Sequence, residues 1–166
     1  CSLEVCHNQH WHRWCLKLFN HLSSLMWART FDARLVSWNQ LRSDVATVPA
    51  DQCLHAINAW WFDAPWRAYH LHWDDQPTWP DPWQLLDDNL FCGLARGLGM
   101  LYTISLLDRP DIQDAELIDT GSDNLVLVEQ KKYILNWDRD QLLNINLTPF
   151  NPRHRLSQEQ IKTQIK

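Results

Sequence analysis

Between Phe91 and Leu107 the chain carries a single charged residue, Arg96. A helix that is apolar on every side belongs inside a protein rather than on its surface. Leu94, Leu98 and Leu101 line one side of this stretch and Met100, Ile104 and Leu107 another. The rest of the chain must therefore wrap a central buried helix over about 91–107. Gly93, Gly97 and Gly99 lie within it. Glycine costs a helix roughly 1 kcal/mol against alanine, so these positions predict a sheet or helix packed very close. The apolar stretch falls short of the ~20 residues that cross a bilayer, and no membrane span is expected elsewhere.

Before this helix the apolar residues recur at helical spacing. Trp11, Cys15, Leu18, Leu22 and Leu25 predict a helix over 6–25, and Phe31, Leu35 and Trp38 a second over 32–43. A third carries Leu54, Ile57 and Trp61 inward, with Thr47 as the cap, Pro49 in the first turn and Asp51 near the positive end of the dipole. Residues 63–83 hold Pro65, Pro77, Pro80 and Pro82, and six of the eleven tryptophans lie between Trp60 and Trp83. Proline lacks a donor and keeps its predecessor out of the helical region. This predicts a long, aromatic, non-helical crossing.

After the buried helix the apolar period drops from 3.6 to 2. Strands are predicted over 115–119, 124–129, 132–137 and 142–147, joined by short connections at Gly121-Ser122 and Gln130-Lys131 as an antiparallel meander. Helices followed by a run of strands define an α+β domain, here over 26–147. Residues 1–25 form an N-terminal helix or a leader. Residues 148–166 form a polar tail in which Ser157 and Gln160 are spaced as a capping box for one short helix, docked by Ile161 and Ile165.

Composition excludes several functions. Fifteen Lys and Arg against twenty Asp and Glu give a net charge of −5 with no basic stripe, so nucleic acid is not an expected partner. All four glycines fall between 93 and 121, so neither a phosphate-binding P-loop nor a dinucleotide fingerprint can be written, and no cofactor is expected. Five cysteines at irregular spacing make a poor disulfide framework, which fits a reducing compartment. The opening Cys1-Ser2 allows a processed, lipid-anchored terminus, and Met26 allows a product that begins there.

Three groups of residues have chemical potential. Cys92 opens the buried helix, where unpaired backbone N–H groups favour thiolate over thiol, so it is either a nucleophile or a core cysteine. Cys6, His10, His12 and Cys15 have partial metal-ligand spacing, but Cys15 belongs to the apolar stripe, and the cluster reads as a His-bearing face beside a core cysteine; no metal site is assigned. The tryptophans of the crossing, Trp66, Trp73, Trp79 and Trp83 among them, can stack on sugars or bases, anchor a protein interface, or fill a core lacking regular structure. The acids around them, Asp63, Asp74, Asp75, Asp81, Asp87 and Asp88, repel phosphate and read as a solvated face.

A cysteine opening a buried helix, followed by an antiparallel meander, resembles the bacterial transglutaminase-like cysteine proteinases and their phage-encoded relatives. Ala56–Phe62 resembles that family's aromatic helix, Asp81-Pro82-Trp83-Gln84-Leu85-Leu86 its Trp-containing segment, and Cys92-Gly93-Leu94-Ala95 its nucleophile turn. Asn124-Leu125-Val126-Leu127 and Tyr133-Ile134-Leu135-Asn136 resemble its two site-bearing strands. The likeness covers roughly residues 54–137. It implies a transglutaminase-like α+β fold, with N-terminal helices and a buried Cys-bearing helix packed on a small antiparallel sheet. It also implies a catalytic set of Cys92, Asn124 and Asn136, but the latter two stand where the family has its base and orienting acid. An amide cannot take a thiol proton near neutral pH. The acidic pair linked to calcium in the family is Gly93 and Leu94 here, and hard-cation ligation needs carboxylate oxygens. The expectation is therefore a non-catalytic structural or protein-binding module with a protein partner, within a larger assembly such as a virion, or in the cytoplasm. The alternative is a thiol hydrolase, a cysteine peptidase or amidase, that uses Cys92 with a histidine from elsewhere: His70, His72 or His154.

Overall fold

The apolar stretch is a helix, and the other elements are arranged around it. The structure is a computed structural model that describes residues 26–27, 29–129, 132–143 and 151–165. The helix predicted over 6–25 and the Cys6, His10, His12 and Cys15 cluster lie outside the described residues. In chain order the elements are α1 (Phe31–Val45), α2 (Ala50–Phe62), a 3-10 segment (Trp73–Thr78), α3 (Pro82–Asp88), α4 (Gly93–Leu107), β1 (Glu116–Asp119), β2 (Asn124–Val128), β3 (Tyr133–Leu135), β4 (His154–Ser157) and α5 (Gln158–Lys162). The class is α+β. Among the described residues no helix is long and apolar enough to cross a membrane.

Two of the α4 glycines explain its packing. A Cβ at Gly97 would lie 2.6 Å from Leu117 Cδ1 of β1, and one at Gly99 would lie 2.5 Å from the Trp61 ring of α2. The helix is thus pressed between sheet and helix at two of its three glycines. Trp38 and Trp61, both fully buried, donate their indole N–H groups to Thr103 Oγ1 at 2.9 and 2.8 Å. That hydroxyl in turn donates to the Gly99 carbonyl at 2.8 Å. All its capacity is used, which is what keeps a buried hydroxyl from being costly.

The sheet order is β3-β2-β1-β4, with antiparallel pairing throughout. Leu117, Val126, Val128, Leu135 and Leu156 join the main core, while Ile118, Leu125, Leu127 and Ile134 form a second buried cluster on the opposite face. A strand buried on both faces reads as a continuous apolar run, which accounts for Leu125-Val126-Leu127-Val128.

Four details differ from the sequence reading. Pro49 itself is the N-cap of α2, and no side chain caps that helix. Thr47 lies too far upstream to reach its free N–H groups. The crossing over 63–83 is also partly helical. Asp81 Oδ1 accepts from Trp83 N and Gln84 N, both at 2.9 Å, and Gln84 Oε1 accepts from Asp81 N at 3.2 Å. That reciprocal box, with Pro82 in the first helical position, starts α3. Of the strand predicted over 142–147, Leu143 forms an isolated bridge to Ile134, and residues 144–147 lie outside the described residues. The fourth strand is instead β4, from the segment predicted as a polar tail. Only Leu156 of β4 is buried, so it shows no apolar alternation. The capping box of Ser157 and Gln160 does open α5, and Ile161 is fully buried.

α1 contributes a buried charge that periodicity did not mark. Arg34 donates from Nε to Leu86 O at 2.9 Å and from Nη2 to Asp87 O at 3.3 Å, and also reaches the Arg29 carbonyl. Carbonyls of the last turn of α3 thereby find a cation at the negative end of its dipole.

Candidate functional site

Cys92, Asn124 and Asn136 come from three elements far apart in sequence and line one cleft of about 500 Å³. Each is placed for a local reason. Cys92 is the N-cap of α4, with extended backbone and a carbonyl that accepts from Arg96 N at 3.0 Å. Its neighbour Phe91 is fixed by backbone bonds to the crossing: Phe91 N donates to Pro65 O at 3.2 Å and Arg67 N to Phe91 O at 3.0 Å. Asn124 is the first residue of β2, opposite Asp119. Asn136 follows β3 with a left-handed φ of 66°, a conformation asparagine tolerates better than most residues.

Asn136 ties the site together. Its backbone N–H donates to Asn58 Oδ1 at 2.8 Å, and its side-chain Nδ2 donates to Gly93 O at 2.8 Å and to Asn124 O at 2.6 Å. One amide thus joins the first turn of α4, the start of β2 and the end of β3. Asn58 was hidden as a polar residue inside the apolar face of α2. Its Nδ2 also donates to Asp138 O at 2.7 Å and Arg139 O at 3.0 Å. Arg139 makes a two-point contact with Asp63 at 2.6 and 2.7 Å, and this hydrogen-bonded pairing raises the guanidinium pKa.

Asn124 is occupied from the other side. Trp73 Nε1 donates to Asn124 Oδ1 at 2.8 Å. Trp73 also stacks on His154, with centroids 5.3 Å apart and planes 8° off parallel. His154 Nδ1 lies 3.1 Å from Asp119 Oδ2. Among the described residues no histidine ring is hydrogen-bonded to the Cys92 thiol. The His55 ring meets the Asp140 carbonyl and His154 meets Asp119, while His70 Nε2 has no partner. His72 lines the cleft.

Arg96 forms part of the wall. Nη2 donates to Ala64 O at 2.5 Å, and its Cζ lies 5.0 Å from the centroids of both Phe62 and Trp66. Burial lowers its pKa, and the nearby Asp63 carboxylate opposes that shift.

Of the tryptophans singled out in the crossing, Trp66 and Trp73 line the cleft and Trp79 and Trp83 do not. Trp79 is buried with its N–H on His72 O at 2.8 Å, so it is a core residue. Trp83 is half-buried in the first turn of α3. The structure adds Tyr69 and Trp137 to the wall. Tyr69 has a φ of 55°, which sequence does not announce. Trp137 is the last residue of a predicted strand that ends two residues earlier. Among the described residues no group of three His, Cys, Asp or Glu side chains is placed to hold a metal ion.

Chemically, the cleft offers a thiol at a helix N-terminus, two amides with committed hydrogen bonds, and aromatic walls. Comparison with protein-family models, curated proteins and solved structures finds no match for this chain.

Proposed function

We propose that this chain is a non-catalytic member of the transglutaminase-like class, in which the active-site cleft has become a binding surface for a partner. The observation that carries this reading is the state of Asn124. At the position where the resemblance expects a base stands an amide, and its acceptor oxygen is already bonded to Trp73 Nε1 at 2.8 Å. A general base must offer a lone pair of suitable basicity within hydrogen-bond reach of the proton it takes. Asn124 lacks the basicity, and its oxygen already accepts from Trp73. The convergence of Cys92, Asn124 and Asn136 on one cleft supports the transglutaminase-like part of the reading.

A thiol hydrolase is the second reading, favoured by His72, which shares the cleft with Cys92. One experiment separates the two. The full chain is incubated with a panel of fluorogenic peptides and, separately, with iodoacetamide. The expected result is no turnover and an alkylation rate at Cys92 that His72→Ala leaves unchanged. Turnover abolished by both Cys92→Ser and His72→Ala overturns the non-catalytic reading. The lineage is tested in reverse: Asn124→His combined with Trp73→Phe frees the position for an imidazole and is expected to speed alkylation of Cys92. An unchanged rate in that variant removes the support for an inherited seat.

A further inference from the structure

Large hydrophobic side chains that stand exposed on a folded surface mark interaction sites when they cluster. Four such residues occur among the described ones, and three line the same cleft: Trp66 at 61% exposure, Tyr69 at 85% and Trp137 at 53%. Each is held outward by its backbone or its support. Trp66 pairs through its backbone with Phe91, and the Arg96 guanidinium lies against its ring. Its Cη2 lies 4.0 Å from where a Cβ of Gly93 would stand, so the ring reaches the first turn of α4. Tyr69 has left-handed backbone, and Trp137 directly follows the left-handed Asn136.

The polar groups among these rings define what they would accept. The cleft contains the Arg96 guanidinium and the carboxylates of Asp119 and Asp123. Asp119 faces His154 Nδ1 at 3.1 Å. The Arg96 charge is spread over two rings and a backbone carbonyl. Two carboxylates stand against one guanidinium and Asp119 already faces His154, so a polyanion finds no complement and a strongly basic segment finds only Asp123. Ser122, Asp123, Asn124 and His72 offer hydrogen-bond donors and acceptors without a compensating field of one sign. Flat apolar faces beside neutral and mixed polar groups suit a ligand whose own faces are apolar and whose edges carry hydroxyls. We propose that the cleft is a binding site for a neutral oligosaccharide, stacked on Trp66, Tyr69 and Trp137 with its hydroxyls on the polar floor. This goes beyond the reading of the site as non-catalytic and does not need it, because the aromatic faces act alike whether or not Cys92 is inert.

The test titrates the full chain with cellohexaose, chitohexaose and maltohexaose, followed by tryptophan emission and by calorimetry. At least one hexasaccharide is expected to bind saturably, with little dependence on salt. Trp66→Ala and Trp137→Ala should each weaken it about tenfold, the upper end of one aromatic contact. Tyr69→Ala serves as the variant that cannot fail through misfolding, because its ring is almost wholly outside the protein; it should weaken binding with an unchanged melting temperature. The proposal is overturned if none of the three sugars binds at millimolar concentration, or if all three variants bind as tightly as the native chain. It is equally overturned if the cleft takes only a charged sugar such as a heparin hexasaccharide, or only peptides. Peptide turnover in the preceding assay would sink the non-catalytic reading and leave this result standing.

Discussion

Gly99→Ala places a methyl group where the structure has no room for one. The added Cβ would sit 2.5 Å from Trp61 Cε3 and Cζ3 and 2.7 Å from Cδ2. Those atoms belong to a rigid ring that is fully buried, held by its N–H on Thr103 Oγ1 at 2.8 Å, and packed against Trp38, Trp60 and Phe91. The ring cannot swing aside as a flexible side-chain end would. Overpacking of this kind costs about 1–3 kcal/mol, and loosening the Trp61–Thr103 hydrogen bond about 1 kcal/mol more. Alanine returns roughly 1 kcal/mol of helix propensity. The net expectation is a loss of about 1–3 kcal/mol, or about 2–12 °C in melting temperature for a domain of this size. Gly93→Ala is the internal control. Its Cβ meets only Asn124 Nδ2 at 3.5 Å and Trp66 Cη2 at 4.0 Å, so it should be near neutral. Urea melts of both variants against the native chain decide the matter. A Gly99→Ala protein as stable as the native one would refute the close approach of α2 and α4, and with it the reason given for the glycines.

Asn136→Ala should cost about 2–4 kcal/mol, since it removes the side-chain donor shared by the Gly93 and Asn124 carbonyls and puts alanine in left-handed backbone; Asn136→Gly should recover the backbone part, and denaturant midpoints give both values. Stability should decline in alkali. Burial pushes Tyr102, whose hydroxyl donates to Pro80 O, and Cys53 above their ordinary values of 10.0 and 9.0. The unfolded chain then releases protons that the folded chain retains, so their contribution is full below about pH 9 and is lost as pH rises further. Tyr102→Phe should flatten that decline in melts taken from pH 8 to 11. Thiol titration of the native chain should leave Cys53 unmodified until the protein unfolds, because it is fully buried; rapid labelling at Cys53 would contradict the packing beneath α1 and α2.

What sequence revealed was whatever burial writes as a pattern. The uniform apolarity of α4, the stripe of Leu54, Ile57 and Trp61, and the unbroken run of β2 each follow from which sides are covered. The capping box of Ser157 and Gln160 was legible because its two residues stand beside an apolar docking pair. The same signature at Asp81 and Gln84 was masked by the surrounding prolines, which read as breakers although one of them opens α3. β4 escaped because an edge strand with one buried side chain has no alternation to detect. Nothing local could have announced the contact of Trp73 with Asn124, 51 residues apart, or the left-handed turns at Tyr69 and Asn136. Periodicity gave no reason for Cys92, Asn124 and Asn136 to meet; only the family resemblance pointed to all three. Arg96 was visible as the single charge on an apolar helix, and a buried polar residue is a hint that it has partners elsewhere; Asn58 was not, because it lies among the apolar residues of α2.

The pairing of β4 with β1 gives synthesis a timetable. His154 is 35 residues beyond the Asp119 it faces, and at about 5–20 residues per second the ribosome needs about 2–7 s to deliver it. During that interval β1 presents an open edge, the kind of strand that recruits other chains. A pause in translation between the two would lengthen the exposure, so the yield of folded protein should depend on codon choice in the stretch before residue 154 more than anywhere upstream.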